Sequence, residues 1–183
     1  AASDVYKRQM LLPGDERDLF FYIYFRLLIY VSNKLNLYQV NTVEELKNLG
    51  IVRISEIRDK LYDDISLLDE FIKENPFNFD EEMLKIVAQW KHFVRGEFII
   101  LKSLRRYTIF LDPSEPPKAY GVLALTEPFD LFIMTYPALV ETVLLPFRDK
   151  IIYDGILRTF SVIFGQRMRQ DLNEMYRKAK SLY

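Results

Sequence analysis

The sequence predicts an α+β protein with an N-terminal helical layer, a five-stranded antiparallel barrel-like sheet and a C-terminal helix. In residues 10–96, apolar side chains recur every three or four positions, which is the spacing of amphipathic helices. From residue 97, short runs rich in Val, Ile, Phe and Tyr are separated by turn residues, a pattern typical of strands. Because 183 residues is the size of one average domain, we expect 10–96 and 97–183 to pack as one unit.

The helical region has recognisable start and stop signals. Acidic residues follow Pro13-Gly14, and negative charge is favourable at a helix N-terminus. Residues 19–35 are apolar on nearly every side, which predicts a helix central to a core. Thr42 and Glu45 have the spacing of a capping box. We expect the last helix of this region to end at Gly96, since glycine supplies the left-handed stop.

The strand region is divided by prolines, glycines and a charged turn. The segment 112–117 contains three prolines, which lack the N–H that a strand ladder requires, so we expect a loop there. Arg148-Asp149-Lys150 predicts a tight turn between two antiparallel strands. Gly155 predicts a β-bulge or a barrel corner, where the absent Cβ lets a strand bend. The five predicted strands are 98–111, 119–125, 139–147, 150–157 and 160–164.

Composition excludes several classes of chemistry. The chain has no Cys, which excludes a disulfide framework, an iron–sulfur cluster, a thiolate zinc site and a cysteine nucleophile. It has one His, His92, and no phosphate loop, dinucleotide fingerprint or serine-hydrolase elbow. We therefore expect no cofactor, no metal and no catalytic residue, although the sequence leaves enzymatic activity undecided.

The apolar segments are too short to predict a membrane protein. The longest, residues 19–31, is interrupted by Arg26, whereas a membrane-spanning helix needs about 20 apolar residues. Acidic residues follow Met10, where a signal peptide would be basic. We therefore predict a cytoplasmic protein without a membrane partner.

Two stretches resemble sequences known elsewhere. The first nine residues, AASDVYKRQ, resemble the translation of a sequencing-library adaptor, which implies a metagenomic source and a native start at Met10. The segment VETVLLPFRDKIIYDG, 140–155, is similar to the LLPFxxKIIYDG hairpin of a bacterial protein family without an assigned activity. Some members of that family continue into a SEC-C-type metal-binding tail, which is absent here. The resemblance implies a folding unit and no particular function.

The leading functional hypothesis is a non-catalytic intracellular interaction or adaptor module of a prokaryote or its mobile elements. The first helix carries more aromatic residues than packing alone requires, and exposed apolar patches usually bind partners. We therefore expect an unknown protein partner or self-association. The predicted interaction face comprises Phe21, Tyr24, Phe25, Tyr153 and Asp154.

Two alternatives remain open. The first is a nucleic-acid-associated protein, because a basic strand and the basic C-terminal helix could follow a phosphate backbone. Its predicted contact residues are Arg105, Arg106, Arg167, Arg169, Arg177, Lys178 and Lys180. The other is a metal-dependent hydrolase, because carboxylates and lysines across a hairpin can hold a metal and a hydroxide. The candidates for that site are Glu115, Glu141, Asp149 and Asp154 with Lys118 and Lys150.

Overall fold

The computed structural model describes residues 10–182, and the chain divides into two units. The helical unit is Gly14–His92, and the sheet unit runs from Phe93 onward together with the N-terminal segment up to Pro13. The Leu12 N–H donates to the Ala124 carbonyl at 2.9 Å, and the Ala124 N–H donates to the Met10 carbonyl at 3.0 Å. The helical region predicted from the sequence, 10–96, extends four residues beyond this unit at each end. The predicted adaptor origin of residues 1–9 lies outside the described residues.

The helical unit contains the amphipathic helices that the apolar spacing predicts. Asp15 and Glu16 lie in the first turn of the longest helix, where their charge meets the positive end of the helix dipole. The helices are α1 (Gly14–Lys34), α2 (Val43–Asn48), α3 (Ile51–Asp63), α4 (Ser66–Glu74) and α5 (Glu81–Gln89), followed by the 3-10 turn Trp90–His92. Helix α1 contacts α2, α3 and α4, which agrees with its predicted central position.

Trp90 lies at the centre of the helical unit and is fully buried. Its ring meets Phe20 at 5.7 Å and Tyr24 at 5.4 Å between centroids, both edge to face. The Tyr24 hydroxyl lies 3.1 Å from the Tyr62 hydroxyl, so this buried polar group has a partner on α3. These aromatic contacts fix α1 against the residues that follow α5.

Helix starts follow the capping chemistry of the sequence. Thr42 Oγ1 accepts from the Glu45 N–H at 3.1 Å, as the capping box predicts. Glu45 in return accepts from the backbone N–H of Asn41, one residue earlier than expected. Asp80 caps α5 through the Met83 N–H at 2.9 Å. Gly96 does not end a helix, because the chain has already entered the first strand there.

The sheet has six strands, is mixed and stays open, so the predictions of five strands, a purely antiparallel sheet and a barrel are wrong. All neighbours are antiparallel except β3 and β6, which are parallel. The strands are β1 (Val94–Ser103), β2 (Thr108–Asp112), β3 (Lys118–Val122), β4 (Ala138–Phe147), β5 (Lys150–Phe160) and β6 (Lys180–Leu182), in the order β5-β4-β1-β2-β3-β6. An isolated parallel bridge also joins Leu123, directly after β3, to Ile152 of β5.

Three differences account for the change in strand number. The predicted strand 98–111 is two strands, because the Leu104 N–H donates to the Tyr107 carbonyl and reverses the chain without Gly, Pro or Asn. The predicted strands 150–157 and 160–164 are one strand that ends at Phe160. A short strand, β6, follows the C-terminal helix α6 (Gln166–Lys178).

Helix α6 packs on one face of the sheet. Leu172 of α6 is buried against Ile99, Ile109 and Leu111, together with Phe164 from the preceding segment. The other face carries Phe98, Phe110 and Tyr120, with ring centroids about 6 Å apart. This helix is the C-terminal helix that the sequence predicts. It packs on one face of the sheet because successive side chains of a strand point to opposite faces.

Gly155 forms the β-bulge that the sequence predicts. Leu144 pairs with Tyr153 and Thr142 pairs with Leu157, so three residues of β5 lie opposite one residue of β4. Gly155 has φ of 88°, a conformation that favours glycine. The Asp154 carboxylate accepts from the Ile156 N–H at 3.1 Å, and Thr142 Oγ1 donates to the Ile156 carbonyl at 2.7 Å. Side chains therefore satisfy backbone groups where the ladder is interrupted.

None of the helices in the described part of the chain has the length and apolar character required to cross a membrane.

Candidate interaction surface at the β1–β2 turn

The turn between β1 and β2 presents two arginines to solvent. The hydrogen bond from the Leu104 N–H to the Tyr107 carbonyl, 2.8 Å long, closes the turn. Arg105 and Arg106 lie at its tip and are exposed. The sequence places them within a strand, which is wrong, because the chain reverses at this point. A turn projects both side chains away from the sheet, whereas a strand would direct them to opposite faces.

A polar cluster attaches a second loop, residues 129–136, to the end of β1. Ser103 Oγ donates to Asp130 Oδ1 at 2.9 Å and lies 3.1 Å from Thr108 Oγ1. The Tyr136 hydroxyl donates to the same Asp130 oxygen and lies 3.3 Å from Ser103 Oγ. Because Ser103 is two residues before Arg105, these bonds hold the loop beside the arginine turn.

Phe129 anchors the start of the same loop in the sheet unit. It is buried, and its ring centroid lies 5.1 Å from Phe110 and 5.1 Å from Tyr153. A 3-10 turn, Phe129–Leu131, follows directly from this anchor. Aromatic burial at one end and the Asp130 cluster beside it fix the loop at two points.

Between Asp130 and Tyr136, which are held together by the polar cluster, the loop exposes large apolar side chains. Leu131 is 57% exposed, Phe132 38% and Met134 92%. Three such side chains within four residues form a concentrated apolar patch, and patches of this kind usually mark binding sites. We call Arg105, Arg106, Leu131, Phe132 and Met134 the turn surface.

Burial changes the acidity of two tyrosines near the turn surface. Burial, and then the hydrogen bond to the Asp130 carboxylate, raise the pKa of Tyr136 above its usual value, so this hydroxyl stays a donor. Burial raises the pKa of Tyr153 to about 12, and the Asp154 and Glu127 carboxylates contribute in the same direction. Both phenols are therefore neutral in the folded protein at any ordinary pH.

The Tyr153 shift predicts a loss of stability at high pH. Below the ordinary tyrosine pKa of 10.0 the phenol is protonated in both states, and its stabilising effect is fully present. As pH rises towards the folded-state pKa of about 12, the unfolded chain releases this proton first and the effect is lost. We expect the contribution of Tyr153 to the free energy of unfolding to fall by about 1–1.5 kcal/mol between pH 8 and pH 11. Urea unfolding at both pH values measures this decrease in the free energy of unfolding. Tyr153→Phe is the control, and its free energy of unfolding should decrease less. An equal loss in the variant would contradict the assignment.

The interaction face predicted from the sequence is largely interior. Tyr24, Tyr153 and Asp154 are buried, since Tyr24 packs on Trp90, Tyr153 packs on Phe129 and Asp154 supports the bulge. They therefore offer a partner little surface of their own. Phe21 and Phe25 are half-buried and stack on each other at 5.3 Å.

The predicted nucleic-acid residues are distributed over three elements. Arg105 and Arg106 lie in the β1–β2 turn, and Lys180 lies in β6. Helix α6 is about 20 Å long, so its first-turn and last-turn charges are well separated. Arg167 and Arg169 lie in the first turn and Arg177 and Lys178 in the last. The Arg169 guanidinium donates to the Phe164 carbonyl at 2.9 Å, so this side chain binds the segment that precedes α6.

The carboxylates considered for a metal site do not converge. Glu141 pairs with Arg158 at 2.9 Å, whereas Asp149 pairs with Lys150 at the other end of β5, roughly 20–25 Å along the strand. Asp154 is buried at the bulge between them. In the part of the chain that the structure describes, no group of three His, Cys, Asp or Glu residues is arranged to hold a metal ion.

Sequence reasoning missed the apolar part of the turn surface. Leu131, Phe132 and Met134 lie between Pro128 and Pro137, where neither helical nor strand spacing is visible. A cluster of large apolar residues inside a predicted loop is the signal that could have found them, because loops are normally polar.

Comparison of the chain with protein-family models, curated proteins and solved structures found no match. The resemblance of residues 140–155 to a bacterial hairpin family therefore stays a prediction.

Proposed function

We propose that this chain is a non-catalytic intracellular interaction or adaptor module of a prokaryote or its mobile elements, and that its contact site is the turn surface. The observation that carries the proposal is the exposure of Leu131, Phe132 and Met134 on a loop held in place by Phe129 and Asp130. A partner that covers these side chains gains the free energy of removing apolar area from water.

The charge beside the patch indicates the class of partner. Arg105 and Arg106 add two positive charges at the exposed tip of the turn. We propose that the occupant is an acidic protein segment with apolar side chains. Its carboxylates would pair with the arginines, and charge complementarity would set the orientation and speed of binding.

Nucleic acid is the second candidate occupant. Arginines at an exposed turn can contact phosphates, and such binding weakens steeply with salt. The apolar side chains of Leu131 and Met134 favour a protein instead, because a phosphate backbone gains nothing from them.

Selection of displayed random peptides on the immobilised chain tests the proposal. We expect the selected peptides to be rich in Asp and Glu together with aromatic or aliphatic residues. Met134→Ser combined with Leu131→Ser should weaken binding of a selected peptide at least tenfold. Arg105→Ala combined with Arg106→Ala should weaken it and flatten its salt dependence.

Val52→Ser is the matched control, since Val52 is 71% exposed on α3 and lies outside the turn surface. Peptides without acidic enrichment, or an equal effect of Val52→Ser, would contradict the proposal. Fluorescence anisotropy with short DNA and RNA at two salt concentrations provides the other arm. Tight, salt-sensitive binding that needs Arg105 and Arg106 but not Met134 would assign the surface to nucleic acid.

A further inference from the structure

We infer that the outer edge of β5 pairs with the same edge of a second copy of the chain, antiparallel about a two-fold axis. Strand β5 is the last strand on one side of the sheet and is paired by β4 on its inner side. In the described residues, the outer side is joined only at Ile152, by the bridge to Leu123. The stretch Ile156–Phe160 therefore presents an edge that can template another strand.

This edge lacks most of the features that protect the edges of monomeric sheets. It contains no Pro and no Lys, and its one charge, Arg158, pairs with Glu141 of its own sheet. The bulge at Gly155 limits the free edge to five residues without covering it. The opposite edge differs, because β6 has three residues and begins with an exposed lysine.

Exposed apolar side chains continue directly from this edge. Val162 is 42% exposed and Ile163 is 94% exposed. Their carbon atoms would leave water on pairing, which adds a hydrophobic contribution to the backbone hydrogen bonds. These residues are distinct from the turn surface, so the inference does not rest on the proposed function.

The sequence of the edge favours a second copy of the chain as the occupant, and it favours one position of the two-fold axis. Identical antiparallel edges are self-complementary in their N–H and C=O groups, and a net charge of -1 opposes association only weakly. An axis at Arg158 would place two arginines opposite each other, which is unfavourable. An axis at Thr159 instead places Arg158 opposite the partner's Phe160. Arg158 already lies over Phe160 of its own strand at 4.8 Å, so this pair of side chains is compatible.

The absence of cysteine allows a direct test with the full chain. Opposite residues of antiparallel strands have Cα atoms about 4.5–5.5 Å apart, within the range that a disulfide spans. We expect mild oxidation to convert Thr159→Cys to a covalent dimer. Met134→Cys is the control, because Met134 is 92% exposed but lies in the turn surface, and it should stay largely uncrosslinked. Equal crosslinking of both variants would overturn the inference.

Light scattering over a range of concentrations provides the second measurement. We expect the native sequence to reach the dimer mass and Thr159→Lys or Ile163→Lys to weaken dimerisation at least tenfold. Met134→Lys makes the same charge change at an equally exposed position and should dimerise normally. A monomer mass at every concentration, or dimerisation unaffected by Thr159→Lys, would overturn the inference. Peptide binding by the turn surface is scored separately with Met134→Ser and Leu131→Ser, so either proposal can fail without the other.

Discussion

Trp90→Ala is expected to destabilise the helical unit by about 3–5 kcal/mol. The indole is fully buried and packs edge to face on Phe20 and Tyr24 of α1. Removing it leaves a cavity beside the longest helix, and neighbouring aromatic rings cannot collapse into that space without losing their own contacts.

Urea unfolding followed by far-ultraviolet circular dichroism measures this loss. Fluorescence is unsuitable, since Trp90 is the single tryptophan in the sequence. Trp90→Phe keeps most of the ring volume and should lose clearly less stability. Val52→Ala, at an exposed position of α3, should change stability by under about 0.5 kcal/mol. A loss for Trp90→Ala as small as that for Val52→Ala would contradict the packing described.

Phe129→Ala is expected to cost about 3–5 kcal/mol and to release the 129–136 loop. The buried ring contacts Phe110 of the sheet and Tyr153 of β5, so its removal detaches the start of the loop from both strands. The Ser103–Asp130–Tyr136 cluster then holds the loop at one point only. We expect peptide binding at the turn surface to fall along with stability.

Amide hydrogen exchange separates local release from global unfolding. In Phe129→Ala, exchange should rise most in residues 130–136, while the β1–β4 ladder keeps more of its protection. Phe132→Ala is the control, because Phe132 is partly exposed and should lower peptide binding with little effect on exchange. Uniform exchange across the sheet unit in Phe129→Ala would show that the residue supports the whole unit rather than the loop.

Local chemistry made most of the helical unit predictable from the sequence. Thr42 carries the cap that the sequence predicts, and the apolar spacing marks the buried side of each helix. The sheet was less predictable, because strand boundaries depend on pairing between distant residues. Leu104–Tyr107 reverses the chain without Gly, Pro, Asn or Asp, so only the pairing of β1 with β2 reveals the turn.

The turn surface was predictable only in part. Its two arginines were singled out from the sequence, although within the wrong element. Leu131, Phe132 and Met134 show neither helical nor strand spacing. Their exposure depends on contacts of Phe129, Asp130 and Tyr136 that only the folded chain brings together. Conversely, Tyr153 and Asp154 belong to the interaction face predicted from the sequence, but both are buried beside the bulge.

The β5 bulge also determines which way the rest of that strand faces. It adds an even number of residues relative to β4, two, so Tyr153 and Leu157 stay in phase and pair with Leu144 and Thr142 on the same side of the sheet. Loss of a single residue there would invert this phase and turn Arg158 towards the side where Leu144 and Thr142 are buried. The number of residues in the bulge therefore sets the orientation of the rest of β5. Deletion of one residue there is expected to disturb the strand more than a substitution that keeps this number.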